Sequence, residues 1–176
     1  MNEEKVVLVD RQDNQIGLMS KMEAHVKGLL HRAFSIIIFN DKREILLQKR
    51  ASSKYHTPNL WSNTCCSHQR EGEDNFIAGK RRLKEEMGFV TELYNFDSFI
   101  YKFSFTNGLI EHEYDHIMLG VYNGKPILNS KEVDDWKWVT IDELSSDIKN
   151  NPDLYTVWFK IIINKYSDSL KKWKLQ

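Results

Sequence analysis

The dipeptide Asn107-Gly108 joins two aromatic-rich segments, residues 99–105 and 109–121, and narrows the possible folds of this chain more than any other feature. Asn-Gly favours tight hairpin turns because it tolerates the positive φ angles that those turns require. The flanking segments are rich in β-branched and aromatic residues, as strands are. The chain is therefore expected to contain a long antiparallel hairpin.

Further strands are predicted on either side of this hairpin. Residues 5–10 form an apolar run that ends in polar turn residues, and residues 136–139 form another short run. Residues 33–39 are β-branched and aromatic, and the turn residues Asn40-Asp41 lead from them to residues 44–48. This pattern indicates a second hairpin whose first strand is largely buried.

The predicted helices lie between and after these strands. Residues 75–87 carry apolar groups near helical spacing and precede Gly88, a suitable C-cap. Thr140 and Glu143 form a capping box that opens a helix. Asn151-Pro152 is predicted to open a final helix that runs to about residue 166.

The remaining segments are predicted to be irregular. Residues 51–72 read as a long polar loop, a type of segment that is often functional. Residues 171–174, which include three lysines, read as a solvated tail. The chain as a whole predicts one α+β domain over residues 1–176, with a mixed or antiparallel sheet core flanked by helices.

Charge and composition exclude several classes of partner. The 176 residues contain 25 Lys and Arg against 25 Asp and Glu, whereas nucleic-acid binders normally carry a basic excess. No apolar run is long enough to insert in a membrane, and the acidic start at residues 1–4 does not resemble a signal peptide. The two cysteines are adjacent, Cys65 and Cys66, so we expect a reduced, cytoplasmic protein whose oligomeric state stays open.

Two glutamates and three histidines suggest a metal site. Glu111 and Glu113 are two apart on a predicted strand and therefore point to the same face, whereas His112 points away. Burying two like charges requires a cation or a shared proton. With the histidines they would suit Mn²⁺ or Zn²⁺; the histidines are His25, His31 and His68. On their own, however, such residues more often belong to a solvated surface.

The helix at residues 81–89 resembles the signature helix of the Nudix superfamily. The matching residues are Glu73, Arg81, Leu83, Glu85, Glu86, Gly88 and Phe89. Two positions depart from the pattern, because Ser67 replaces a glycine and Arg82 replaces a glutamate. Nudix hydrolases hold divalent cations on clustered carboxylates. Arg82 instead favours binding of an anionic diphosphate, unless it only forms a surface ion pair with Glu86.

Three further blocks carry a more specific resemblance. Residues 29–35 read Leu-Leu-His-Arg-Ala-Phe-Ser, residues 61–68 read Trp-Ser-Asn-Thr-Cys-Cys-Ser-His, and residues 111–113 read Glu-His-Glu. Together they resemble the type I isopentenyl-diphosphate isomerases, which have a Nudix fold but do not hydrolyse their substrate. The resemblance implies interconversion of isopentenyl and dimethylallyl diphosphate, by protonation of an alkene to a tertiary carbocation and loss of another proton.

The resemblance also implies roles for individual residues. Cys66 and Glu113 would exchange protons with the substrate, and Tyr101 and Trp158 match the active-site aromatic residues of the family. A transition-metal site for Mn²⁺ or Zn²⁺ would comprise His25, His31, His68, Glu111 and Glu113. Mg²⁺ accompanying the diphosphate would be held by Glu86 and a backbone carbonyl near Cys66. The diphosphate-binding residues would be Lys21, Arg50, Lys54 and Arg82.

Simpler interpretations remain open at this stage. Tyr101, Trp158 and both cysteines also suit a hydrophobic core, and Lys54 suits a solvated loop. We expect the other three histidines to be structural or superficial; these are His56, His112 and His116. Two other functions fit the Nudix-like helix: hydrolysis of a nucleoside diphosphate derivative, and non-catalytic binding of a metal or a diphosphate.

Overall fold

The structure is a computed structural model that describes residues 4–54 and 56–174. The N-terminal residues 1–3, on which the expectation about a signal peptide partly rests, lie outside the described residues, as does Tyr55 of the predicted loop. Within the described ranges, no helix combines the length and the apolar character needed to cross a membrane.

In the part of the chain that the structure describes, a nine-stranded mixed sheet forms the centre. The strands are β1 (Lys5–Val9), β2 (Gln15–Ser20), β3 (His31–Phe39), β4 (Ile45–Arg50), β5 (Trp61–Ser62), β6 (Cys65–Ser67), β7 (Leu93–Ser104), β8 (Ile110–Val121) and β9 (Val133–Val139). The helices are α1 (Lys21–Lys27), α2 (Asn75–Met87), α3 (Ile141–Asn150) and α4 (Val157–Lys172), and a 3-10 turn spans Pro152–Leu154. This arrangement confirms the predicted α+β class.

Strand β3 lies at the centre of the sheet. It runs parallel to β8, with His31 opposite Glu113, and antiparallel to β6, with Ser35 opposite Cys66. A helix packs on each face of β3, so both faces are buried. Strands buried on both faces are nearly continuous in apolar residues, which explains the run in residues 33–39.

Alternate residues of β3 belong to two separate cores. Ile37 and Phe39 pack with α3 and α4, whereas Ile36 and Ile38 pack with α2. Helix α2 lies close to the sheet at Gly79, where an added Cβ atom would lie 2.8 Å from Cε of Met118. The sheet is therefore the middle of three layers.

On the face of the sheet that α3 and α4 cover, the side chains at one end are polar, whereas the rest belong to the hydrophobic core. Strand β8 begins with Glu111, Glu113 and Asp115 on this face and continues with Ile117 and Leu119, which belong to the core. The neighbouring strand β3 likewise begins with the buried His31. This polar end of the face is where the candidate site lies.

Several predicted elements are confirmed. Helix α2 occupies residues 75–87 as predicted, with Asp74 as N-cap and Gly88 in the left-handed conformation. Helix α3 begins at Ile141, directly after Thr140, which forms the predicted capping box with Glu143. The Asn-Gly turn connects β7 and β8, whose register pairs Ser104 with Ile110.

The predicted C-terminal helix is wrong in both of its boundaries. Pro152 opens only a 3-10 turn, and α4 begins at Val157, because Thr156 donates its backbone N–H to the carbonyl of Trp61. The helix then continues to Lys172, past the predicted end near residue 166. The tail is not fully solvated either, since Trp173 packs against Phe39 with ring centroids 5.4 Å apart.

Two other segments differ from expectation. The predicted loop at residues 51–72 contains β5 and β6, because its polar residues are buried and hydrogen-bonded inside the protein; Ser62, Asn63 and Thr64 are fully buried. Strand β2 and helix α1 were not predicted. Met22 and Val26 of α1 are exposed, so the positions of its apolar residues do not indicate which side of the helix is buried.

Candidate active site

A single cavity brings together ten of the thirteen residues singled out from the sequence. These are Lys21, Arg50, Lys54, Cys66, His68, Arg82, Tyr101, Glu111, Glu113 and Trp158. The other three lie behind its wall: His25 and His31 contact Glu111, and Glu86 contacts Arg82. Residues that are far apart in sequence, from Lys21 to Trp158, therefore converge on one site.

Two carboxylates and three histidines form a buried cluster at one end of the cavity. Oε2 of Glu111 lies 3.0 Å from Nε2 of His25 and 3.9 Å from Nε2 of His31. Oε1 of Glu113 lies 3.0 Å from Nε2 of His68 and 3.7 Å from the same atom of His31. Two groups of these side chains, one of which is His25, His31 and His68, place one ligand atom each within 4.8 Å of one another.

Backbone carbonyls fix the tautomers of two of these histidines. Nδ1 of His25 lies 2.5 Å from the carbonyl of Lys21, and Nδ1 of His31 lies 2.9 Å from that of Leu29. A carbonyl only accepts hydrogen bonds, so Nδ1 carries a proton in both rings and Nε2, which faces the cluster, is the atom that would bind a metal ion. For His31, this inward Nε2 has no hydrogen-bond partner among the described residues. Such an arrangement fits a divalent metal ion.

The electrostatics of the cluster keep both carboxylates and His68 in metal-binding states. Burial opposes ionisation of both carboxyls, but hydrogen bonds from His25 and His56 hold the pKa of Glu111 well below its ordinary value. For Glu113, contacts with His31 and His68 likewise lower the pKa, although burial and Glu111 act against them. Burial lowers the pKa of His68 to about 4, which keeps its imidazole neutral.

Cys66 faces the cavity from the other side of β3. Strands β6 and β8 both pair with β3, so they lie two strand spacings, or roughly 10 Å, apart. Burial raises the pKa of the Cys66 thiol to about 12. Cys65 packs instead with α2 and is fully buried, as expected for a core residue. A substrate between the two strands would contact Cys66 and Glu113 from different sides.

The two aromatic residues are held in fixed orientations. The hydroxyl of Tyr101 donates to Oε2 of Glu113 over 2.7 Å. The indole Nε1 of Trp158 donates to Oγ of Ser62 over 3.0 Å and to Oδ1 of Asn63 over 3.2 Å. Both rings are largely buried, so the site offers little access to water near them.

Among the described residues, four cations line the cavity, and each has an oxygen partner. Lys21 pairs with Glu4, and Lys54 pairs with Glu132. The Arg50 guanidinium donates to the carbonyls of His56 and Thr57 and lies 5.3 Å from the centroid of the Trp158 ring.

Arg82, the fourth cation, binds Glu86 over 2.6 Å, and this contact confirms that the two residues share a helix face. Glu86 is buried, and both of its oxygens are engaged, since Oε2 accepts a hydrogen bond from Gln48. Its role as a Mg²⁺ ligand therefore stays a prediction. The neighbouring Arg81 forms a bidentate pair with Glu73, so these two residues fix the start of α2 instead of lining the cavity.

Two buried residues of the site were missed from sequence. His56 lines the cavity and lies 3.0 Å from Oε1 of Glu111, so it is not a surface residue. Asp115 accepts a hydrogen bond from Ser35 over 2.8 Å, and burial followed by the charge of Glu113 raises its pKa well above the ordinary value. The same two-residue period that relates Glu111 to Glu113 would have identified Asp115.

The remaining two histidines are away from the cavity, as expected. Nδ1 of His112 lies 3.0 Å from the carbonyl of Gly28, on the opposite face of β8 from Glu111. Nε2 of His116 lies 2.9 Å from Asp13.

Known proteins resemble this chain both in sequence and in fold. Residues 29–159 match the NUDIX domain. The chain is 51% identical over 173 residues to isopentenyl-diphosphate Delta-isomerase 2 of Photorhabdus laumondii subsp. laumondii, with 98% of each chain covered. It is 48% identical over 163 residues to isopentenyl-diphosphate Delta-isomerase 2 of Aromatoleum aromaticum, with 93% of this chain and 86% of the relative covered.

Among solved structures, DR0079 from Deinococcus radiodurans superposes with a TM-score of 0.75 at 17% identity, covering 92% of this chain and 98% of that chain. A MutT protein from Methanosarcina mazei superposes with a TM-score of 0.64 at 16% identity, covering 81% and 96%. At this identity the structural likeness concerns the fold alone.

Proposed function

Since the chain belongs to the isopentenyl-diphosphate Delta-isomerases, whose fold is that of the NUDIX domain, we propose that Cys66 and Glu113 exchange the two protons of its reaction. The enzyme interconverts isopentenyl diphosphate and dimethylallyl diphosphate. The observation that carries the proposal is that a protonated thiol and a carboxylate line one cavity, on strands that flank β3.

The reaction adds one proton and removes another. Protonation of the terminal alkene carbon leaves a tertiary carbocation, and loss of a proton from the neighbouring CH₂ group forms the new double bond. One of Cys66 and Glu113 supplies the first proton, the other accepts the second, and the reverse reaction exchanges their roles. Tyr101 fixes the orientation of the Glu113 carboxylate through its hydrogen bond to Oε2.

The carbocation requires protection and stabilisation. The face of the Trp158 indole offers a cation–π contact that contributes about 2 kcal/mol in a desolvated site. Because the indole N–H is bound by Ser62 and Asn63, the ring cannot turn away from the cavity. The largely buried surroundings also exclude water, which would trap the cation as an alcohol.

The cations of the cavity bind the diphosphate. We assign this role to Lys21, Arg50, Lys54 and Arg82, which come from α1, β4, the following segment and α2. Guanidinium groups suit phosphate oxygens because they donate two hydrogen bonds in one plane. Lys21 precedes the residues that match the NUDIX domain, as does His25. We therefore propose that residues 1–176 act as one isomerase domain.

Divalent metal ions complete the site. His25, His31, His68, Glu111 and Glu113 would hold Mn²⁺ or Zn²⁺, and such a cation would orient the Glu113 carboxyl and tune its acidity. A Mg²⁺ ion accompanying the diphosphate is assigned to Glu86 and a carbonyl near Cys66. Because the reaction needs a free thiol at Cys66, we also place the enzyme in the reducing cytoplasm.

The proposal is tested by turnover of isopentenyl diphosphate, measured by NMR with purified enzyme supplied with Mg²⁺ and Mn²⁺. Cys66→Ala and Glu113→Gln should each lower kcat by a factor of about 10² or more, as expected for loss of an acid or base group. Cys65→Ala is the matched control and should retain activity. Turnover that persists in either of the first two variants would contradict the assignment, and release of inorganic phosphate would indicate hydrolysis instead.

A further inference from the structure

The two carboxylates of the metal cluster are arranged in the same way. Each presents one oxygen to the histidines of the cluster and the other to a hydrogen-bond donor outside it. For Glu113, Oε1 faces His68 and His31, and Oε2 accepts the hydroxyl of Tyr101. For Glu111, Oε2 faces His25 and His31, and the corresponding outer oxygen is Oε1.

The partner of this outer oxygen is His56. Its Nε2 lies 3.0 Å from Oε1 of Glu111, and its side chain is only 7% exposed. Nδ1 of the same ring lies 3.1 Å from the hydroxyl of Thr57. A hydroxyl can donate its proton to Nδ1, and the proton of the neutral ring then resides on Nε2, where it points at the carboxylate.

The surroundings hold the His56 ring in this position. It stacks on Phe105, with centroids 5.3 Å apart and planes inclined by 14°. The Arg50 guanidinium donates to the backbone carbonyls of both His56 and Thr57. The imidazole is therefore fixed through its ring and through its backbone.

We propose that His56 is a positioning residue of the metal centre, which holds Oε1 of Glu111 so that Oε2 remains directed at His25 and His31. This inference rests on the proposed function, since it takes Glu111 as a metal ligand. His56 does for Glu111 what Tyr101 does for Glu113. It also links the segment that carries Arg50 and Lys54 to the metal site.

The inference is tested by titrating metal-free protein with Mn²⁺ at neutral pH, without substrate. His56→Phe keeps an aromatic ring that can stack on Phe105 but removes the donor, and it should weaken Mn²⁺ binding by about tenfold or more. His56→Gln restores an N–H at a similar distance and should bind within about threefold of the wild type. His112→Gln, on the opposite face of β8, is the matched control and should bind as the wild type does.

Two further readouts make the outcome decisive. The visible spectrum of the Co²⁺-loaded protein should change in His56→Phe and return in His56→Gln, because the geometry of the Glu111 ligand differs. Circular dichroism of the metal-free proteins establishes folding, and His56→Asn, whose side chain is too short to reach Glu111, replaces His56→Phe if that variant does not fold.

Equal Mn²⁺ affinity in His56→Phe and the wild type would overturn the role of His56 and leave the metal site intact. Equal weakening in His56→Phe and His56→Gln would also overturn it, because the donor would then be irrelevant. A wild type that binds no Mn²⁺ would overturn the proposed metal site itself.

Discussion

The hydroxyl of Tyr101 allows the role of Glu113 to be tested without altering the carboxylate. It donates a 2.7 Å hydrogen bond to Oε2 of Glu113, and both residues are buried, with exposures of 7% and 8%. Tyr101→Phe removes only this bond and retains the ring. A hydrogen bond to a charged group contributes about 1.5–3 kcal/mol.

This energy converts directly into an expected rate. Since 1.36 kcal/mol corresponds to a factor of ten, Tyr101→Phe should lower kcat by a factor of about 10 to 150 if the bond acts fully in the transition state. KM should change little, because the hydroxyl contacts Glu113 and not the cations assigned to the diphosphate. NMR measurement of both constants at saturating Mn²⁺ and Mg²⁺ separates the two effects.

Tyr166→Phe provides the matched control. The Tyr166 hydroxyl lies 3.5 Å from the carbonyl of Ser98, and the residue does not line the cavity, so this variant should keep the wild-type kcat. A Tyr101→Phe enzyme whose kcat stays within about twofold of the wild type would refute the reasoning, since the smallest energy considered predicts about tenfold.

Three further changes test other parts of the site. Trp158→Leu removes the aromatic face and should lower kcat by about 30-fold, the equivalent of about 2 kcal/mol of cation–π stabilisation; an unchanged kcat would exclude that contact. Arg82→Gln should raise KM by about tenfold or more through loss of a charge-assisted bond, whereas a loss confined to kcat would contradict its role in binding. Burial and the charge of Glu113 raise the pKa of Asp115, so the folded state binds the Asp115 proton more tightly than the unfolded state does. The stability of the folded state therefore falls as the pH rises above about 4, the ordinary pKa of an aspartate. In thermal denaturation of the metal-free proteins, Asp115→Asn should therefore have a higher Tm than the wild type at pH 8 but not at pH 4. A Tm difference between variant and wild type that is the same at both pH values would refute this.

Local patterns predicted those elements whose stability is largely local. The two-residue period of a strand placed Glu111 and Glu113 on one face, and the structure brings them into one cluster. Helix α3 was predicted from its capping box, which depends on contacts within four residues. Residue identities and spacing were sufficient in these cases because the relevant neighbours are close in sequence.

Elements that depend on distant partners were not predicted correctly. The start of α4 is set by a hydrogen bond between Thr156 and Trp61, and nothing near Pro152 reveals it. His56 faces Glu111 across more than fifty positions of the chain, and its neighbours resemble those of an ordinary polar loop. In both cases tertiary contacts override the local signal.

The sequence resemblance to the isopentenyl-diphosphate isomerases supplied the functional roles that the residue patterns alone left undetermined. A pair of glutamates and a set of histidines are compatible with a solvated surface, but the burial of Glu111, Glu113 and His31 excludes that interpretation for these residues. Roles that involve substrate atoms, such as those of Cys66 and Lys54, depend on a bound ligand and remain predictions.

A crystal structure of the metal-loaded enzyme with dimethylallyl diphosphate tests most directly whether the substrate lies between Cys66 and Glu113. We predict that the five-carbon chain lies between the two residues, with Sγ of Cys66 and a carboxylate oxygen of Glu113 on opposite faces of the reacting carbons, each within about 3.5 Å. A hydrocarbon chain bound in another cavity, or contacted by both groups on the same face, would contradict the account.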